Sequence, residues 1–377
     1  MRLHDPRIGD EVVVRTRPVA FSFFPTIQGS RREAMQSIVF SSDPWNIISH
    51  EINKISHDKQ RDQALAFLAQ ARDFFNASSE SDISAAKPLL LYYSFLNLAK
   101  CYISKKTGRV LGRVHHGLSE NLPTTQGAIH GEVRVYVDPQ PRDKVFQLFA
   151  EALNSPINNN NGSNNFLIRS EDFLSQILIG HRVFCNGEGL KEKFVSIEDI
   201  KYVHDPITKE IWLRVRYFAD DFKRLSYPLT SLSKSLSGGV DWRNVNCDRQ
   251  QSGRRLIEAE TMNVWGYTQR PSQAIGEISK AVRGLVWRSV ISIPPYRKYY
   301  VYRPTQAQFL MNQLLSIYLA TFYLGSITRY KPEEFDKILK SDIGPFVMEF
   351  FANQPAQFLY LMASEFAEQE VARAAII

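Results

Sequence analysis

Cysteine is scarce in this chain: Cys101, Cys185 and Cys247 are the only three in 377 residues, and none belongs to a Cys-x-x-Cys pair. An odd and widely spaced set argues against a disulfide framework and a zinc ribbon, and it fits a reducing compartment. The fixed-spacing signatures of common chemistries are also missing. The sequence lacks Gly-x4-Gly-Lys-Ser/Thr, Gly-x-Gly-x-x-Gly, Gly-x-Ser-x-Gly and His-Glu-x-x-His. Those absences remove the P-loop, the dinucleotide fingerprint, the hydrolase elbow and the zincin helix. No cofactor and no metal site is therefore expected. The N-terminus has no apolar run of the signal-peptide kind, and Arg31-Arg32 is not followed by the apolar segment of a twin-arginine signal. A cytoplasmic location is the expectation.

Charge is missing between Arg303 and Arg329, and Phe309 to Ile327 is strongly apolar. That length could span a bilayer. Asn312, Gln313, Ser316 and Thr321 interrupt it, however, and flanking Lys and Arg are few. The expectation is a buried core helix and no membrane partner.

Elsewhere charge is plentiful and uneven. The net charge is +7, and residues 238–303 carry eleven Lys/Arg against five Asp/Glu. Residues 304–377 are net negative, with five against eight. A second basic block covers 83–119, where Lys87, Lys100, Lys105, Lys106, Arg109 and Arg113 meet no acid. Such blocks suit a polyanion, and equally a solvated basic face. In 240–303 the cations interleave with Trp242, Trp265, Tyr267, Trp287, Tyr296, Tyr299, Tyr300 and Tyr302. Aromatic rings among cations can stack bases and hold phosphates. They can also form a strand-rich core edge with solvated arginines, and no RNP, KH or zinc-knuckle pattern decides between the two.

Periodicity predicts helices at both ends of the chain and a mixed middle. Asp43-Pro44 reads as an N-cap and a first-turn proline. A second helix is expected over about 60–76, with Ala64, Leu65, Phe67, Leu68, Ala71, Phe74 and Phe75 at helical spacing. The third, 88–103, is apolar all round apart from Lys100 and should be the buried centre. Residues 132–137 and 209–217 alternate as strands, while 143–153 and 173–183 read as helices. Residues 154–165 form an Asn-rich polar loop, and 231–239 a Ser/Gly-rich one. The buried helix is expected over 306–327, with later helices starting at Pro332, Gly344-Pro345 and Pro355. His204-Asp205-Pro206 reads as a turn. Glu258 and Glu260 are candidates for a nuclease acid pair or, more simply, for helical ion pairs with Arg254 and Arg255.

Three segments carry a resemblance. They are Asp43-Pro44-Trp45-Asn46 with 69–75, Lys87-Pro88-Leu89-Leu90-Leu91-Tyr92-Tyr93 through His116-Gly117-Leu118-Ser119, and Leu324 to Glu333. Together they resemble the YaaC-like family of bacterial proteins, a family without an established activity. The first two also resemble a HEPN core, a helical bundle with a Tyr-Tyr helix followed by a His-Gly-Leu turn. HEPN resemblance implies either a metal-independent endoribonuclease, often acting across a homodimer in stress or phage defence, or a domain that only binds RNA or partners. The active members carry Arg-x4–6-His, and here Arg109 stands in that spacing to His115 and His116. A histidine can move a 2′-hydroxyl or leaving-group proton near neutrality, and an arginine can hold the phosphate through its planar fork. This sequence departs from the pattern in that Gly108 and Gly112 break the segment. The structural alternative is a His116-Gly117 turn packed on the central helix, a ring nitrogen bonded to a backbone carbonyl.

The expected fold is thus α+β and mostly helical. It has a HEPN-like bundle over 1–153, the loop 154–165, a mixed basic and aromatic region over 166–303, and a C-terminal helical region over 304–377 packed on the core. Arg109, His115 and His116 are the catalytic candidates. Lys100, Lys105, Lys106, Arg113, Arg254, Arg255, Arg283 and Arg288 are the nucleic-acid-binding candidates. The expected activity is RNA association, with endoribonuclease chemistry open. The alternative is a non-catalytic, partner-binding subunit of a larger defence complex.

Overall fold

The computed structural model describes residues 4–14, 16–25, 35, 38–81, 86–123, 127–137, 143–155, 157, 164–228, 240–247, 250–251, 253–290, 298–304 and 309–373. Arg31-Arg32, Tyr296, most of the Asn-rich stretch and the Ser/Gly-rich stretch at 231–239 lie outside them. The chain divides into two compact units, each assembled from separated segments. One comprises residues 43–191 and 307–367, and the other 1–42, 192–306 and 368–377. The expected boundaries at 153/154 and 165/166 fall inside the first unit, and 303/304 lies three residues from a crossing.

The first unit is mainly helical. The Asp43 carboxylate accepts a hydrogen bond from the Trp45 amide at 3.0 Å, and Pro44 opens the helix Pro44–Asn53 as the sequence predicts. The second helix, Asp58–Glu80, is capped by the His57 ring and packs along the central helix Lys87–Thr107. The central helix buries Leu91, Tyr92, Ser94 to Ala99 and Cys101 to Ser104, so its all-round apolar character reflects burial on nearly every face. Its buried polar groups are partnered: Ser94 Oγ donates to the Ala71 carbonyl and Tyr102 Oη to Glu365. Phe95 stacks on Phe358 with ring centres 3.9 Å apart.

The charge-free stretch becomes the helix Gln313–Tyr330, which starts later than expected because Asn312 caps it. It is buried from Gln313 to Thr328 and packs on the central helix. Among the described residues no helix is long and apolar enough to cross a membrane. The 143–153 helix begins only at Val145, since Asp143–Lys144 pair as a short strand with Val114–His115. The 173–183 helix is in fact two, Ser170–Leu174 and His181–Gly187. Gly180 separates them at φ +95°, a region a helix interior does not visit. Pro355 does not start a helix: it lies within Gly344–Ala367 and is buried there. A small antiparallel sheet, 118–121 with 132–136 with 165–169, completes this unit.

The second unit is built on an antiparallel sheet in the order 10–11, 199–205, 210–218, 254–261, 242–245. The alternation at 209–217 becomes the strand Glu210–Phe218. The Asp205 carboxylate accepts from the Ile207 and Thr208 amides, so the His204-Asp205-Pro206 turn is present. Glu258 and Glu260 lie on a strand, not a helix, so helical ion pairs are ruled out for them. Two residues apart on a strand, they share a face and stand opposite Arg216 and Arg214. A second sheet orders 194–196, 299–302 and 286–288, and Val371–Arg373 pairs in parallel with Val39–Ser41.

Candidate functional site

The turn leaving the central helix is held from several sides. Ser104 Oγ donates to the Arg109 carbonyl at 3.0 Å. The Gln63 amide brackets Leu111, accepting from its N–H and donating to its carbonyl, both at 2.8 Å. Val114–His115 then pairs with Asp143–Lys144, and the Phe146 amide donates to the His116 carbonyl at 3.2 Å. The backbone is therefore fixed, and Lys106, Arg109 and Arg113 are left exposed on one short stretch.

The two histidines differ. His115 Nδ1 accepts the Gly117 N–H at 3.0 Å, so in the neutral ring the proton sits on Nε2. His116 lies against the central helix, its Nδ1 hydrogen-bonded to Tyr92 Oη and its ring stacked on Tyr92 with centres 5.7 Å apart. The partner of the His116 ring is a tyrosine hydroxyl, not the backbone carbonyl expected for a packed turn. Burial, then the nearby charges of Lys100, His115 and Arg329, holds His116 below the ordinary histidine value. It is a neutral ring. Arg109 pairs with Asp143 at 3.5 Å, both side chains substantially exposed. Such a pair contributes little and opens readily to a stronger anion.

The other basic candidates divide by exposure. Lys105 is a structural cation, bound to Glu51 at 3.1 Å and to the Phe366 carbonyl. Lys100 is half-buried, 5.4 Å over the Phe67 ring, and burial lowers its pKa. Lys106 is exposed and lies 5.9 Å over Tyr102. In the other unit Arg255 is exposed, while Arg254 lies 3.8 Å over Phe218 and pairs with Asp220 and Asp221. Arg283 is half-buried over Phe24. Arg288 is 1% exposed and faces buried Glu370 at 3.8 Å, so its guanidinium is not presented to a phosphate.

Sequence reasoning missed two buried charge clusters. On the large sheet Glu260 receives Arg214 at 2.5 Å and Arg243 at 3.0 Å, and Glu258 receives Arg216 at 2.5 Å. Arg7 adds its amide to Glu260 at 3.2 Å and its guanidinium to the Thr261 carbonyl. The i, i+2 spacing of Arg214/Arg216 and Glu258/Glu260 was the available signal. The second cluster joins Glu370 to Arg288, Lys298 and Tyr299, and no local pattern announces it. Among the described residues no three His, Cys, Asp or Glu side chains converge as a metal ion would need.

The family model described as YaaC-like Protein matches residues 25–366. No curated protein and no solved structure matches.

Proposed function

The chain belongs to the YaaC-like protein family, and from the site at the exit of its central helix we propose that it is an RNA-associated protein. The observation that carries this reading is the succession of exposed Lys106 at the end of the central helix, exposed Arg109 and Arg113 on the backbone-anchored turn that follows, and His115 on the short strand after it. Cations on a fixed backbone meet phosphates without ordering a loop first. The two helices before the turn are the part that resembles a HEPN bundle, and that resemblance supports RNA over other polyanions.

Metal-independent cleavage is the second reading, favoured by the HEPN spacing of Arg109 and His115 across that turn. In it Arg109 leaves Asp143 for the scissile phosphate and His115 carries the proton.

Labelled single-stranded RNA tests both in the presence of EDTA. Binding should weaken with salt, and Arg113→Ala should lower the slope of log affinity against log salt by about 0.7, one phosphate contact. Cleavage by the wild type, lost in folded Arg109→Ala and His115→Ala, would establish the nuclease reading. Absence of both binding and cleavage would overturn RNA association. It would leave a partner-binding module, for which exposed Ile8 and Ile207 are two apolar positions to substitute.

A further inference from the structure

The small sheet of the helical unit, 118–121 with 132–136 with 165–169, has two unlike faces. Side chains alternate along a strand, so Val133 and Val135 share one face with Ile168, and all three are buried. Arg134 and Tyr136 stand on the other face, and Ser119 and Leu167 lie opposite Arg134 on the two neighbouring strands. Arg134 is exposed, Leu167 is 45% exposed and Tyr136 is half-buried.

Antiparallel sheets commonly leave one face to water. This one is marked by what it adjoins. The Tyr136 ring meets the His115 ring edge-on, with centres 6.1 Å apart at 90°, so the outer face continues into the helix exit. Tyr136 Oη is hydrogen-bonded to Ser119 Oγ at 3.2 Å, which fixes the ring from its polar end. The acids nearby are engaged: Glu132 accepts from the Asn121 side-chain amide at 2.9 Å, and Asp172 holds Arg169 at 3.0 Å. Among the described residues Arg134 makes no ion pair. A cation and a ring two residues apart on one strand stand about 7 Å from each other, the reach of one extended nucleotide from phosphate to base.

We propose that the RNA held at the helix exit is single-stranded and runs on over this sheet face, one base stacked on Tyr136 and the neighbouring phosphate against Arg134. Leu167 supports the next base or sugar. The inference rests on the RNA association proposed above and adds its substrate class. Stacking on a side chain needs an unpaired base, whereas an A-form duplex presents its backbone and 2′-hydroxyls. A ring already held by Ser119 and His115 receives a base with little further ordering.

Fluorescence anisotropy of the full chain tests this with labelled oligoadenylate, oligouridylate and an RNA duplex of equal length. Tyr136→Ala should weaken binding of the single strands about ten-fold, the value of one base stack, and leave the salt slope unchanged. Tyr136→Phe keeps the ring and should bind as the wild type does. Arg134→Ala should lower the slope of log affinity against log salt by about 0.7. Binding of the duplex should not respond to Tyr136→Ala. A wild type that binds no RNA overturns this inference together with RNA association. Binding that Arg113→Ala weakens, while Tyr136→Ala and Arg134→Ala leave it unchanged, overturns this inference alone. A loss in Tyr136→Ala that Tyr136→Phe shares traces to the Ser119 hydrogen bond and overturns the stacking. Arg134 is exposed, so its slope decides the matter even where Tyr136→Ala fails to fold by circular dichroism.

Discussion

His115 and His116 are neighbours in the chain, yet their rings serve different surroundings. The ring centres stand 6.3 Å apart at 87°, one beside exposed cations and one against Tyr92. His116 is held neutral by burial and by Lys100, His115 and Arg329, while the unfolded chain titrates it near 6.5. Above that value both states are neutral and nothing is lost. Below it the unfolded chain takes up the proton first, so stability must fall as the pH drops. Thermal melts from about pH 7.5 to about pH 5.5 should therefore narrow the gap between the wild type and a less stable His116→Gln. A constant gap would mean that His116 titrates in the fold as it does in the unfolded chain. Tyr92→Phe removes the hydroxyl that meets His116 and should cost about 1–2 kcal/mol in urea denaturation, the value of a buried hydrogen bond. The sequence made both residues visible, Tyr92 on the expected buried central helix and His116 as part of a turn. It could not reveal that each is the other's partner, because they are brought together by tertiary packing across the helix exit.

At the scale of elements, the turn at Ala128–His130 is pinned to the Gln313–Tyr330 helix by one tyrosine. Tyr323 Oη donates to the Ala128 carbonyl at 2.5 Å and accepts the Gly131 amide at 2.7 Å. A Cβ on Gly131 would stand 2.3 Å from that hydroxyl and 2.8 Å from the Asn121 carbonyl. Gly131→Ala should thus destabilise by about 3 kcal/mol through overpacking, measurable as a lowered urea midpoint. The sheet offers a second case. Glu260 is 0% exposed beneath Arg214 and Arg243, so Glu260→Gln should cost about 3 kcal/mol by leaving Arg243 without this carboxylate and Arg214 with only Glu258 at 3.8 Å. The helices were largely legible in the sequence because their apolar periods run long and their caps are local: Asp43, Pro44 and Pro332 all mark true starts. Pro355 misleads for the same local reason, since packing of Gly344–Ala367 overrides the proline's cost to the helix. Glu258 and Glu260 were misread because Arg254 and Arg255, just before them in the chain, suggest helical ion pairs, whereas the segment is a strand. Only the opposing arginines on neighbouring strands make them a core.

For the whole molecule, the least legible feature is that each unit draws on distant parts of the chain, since sequence composition marks stretches and not returns. The last ten residues illustrate the consequence. Residues 368–377 belong with the sheet-rich unit. Within them Glu370 is 1% exposed, paired with Arg288 and Lys298, and Val371–Arg373 extend the pairing with Val39–Ser41. Glu370→Ala removes the buried carboxylate that faces Arg288 and Lys298 and should cost that unit about 3 kcal/mol. The tryptophans make this loss separately visible. Trp212, Trp242, Trp265 and Trp287 lie in the sheet-rich unit and Trp45 alone in the helical one, where most of the helix also lies. In guanidinium denaturation of Glu370→Ala the midpoint by tryptophan fluorescence should fall further than the midpoint by helical ellipticity. Equal shifts of the two signals would mean that the units unfold as one cooperative body, and the stability of the helix-exit site would then depend on a carboxylate in the other unit.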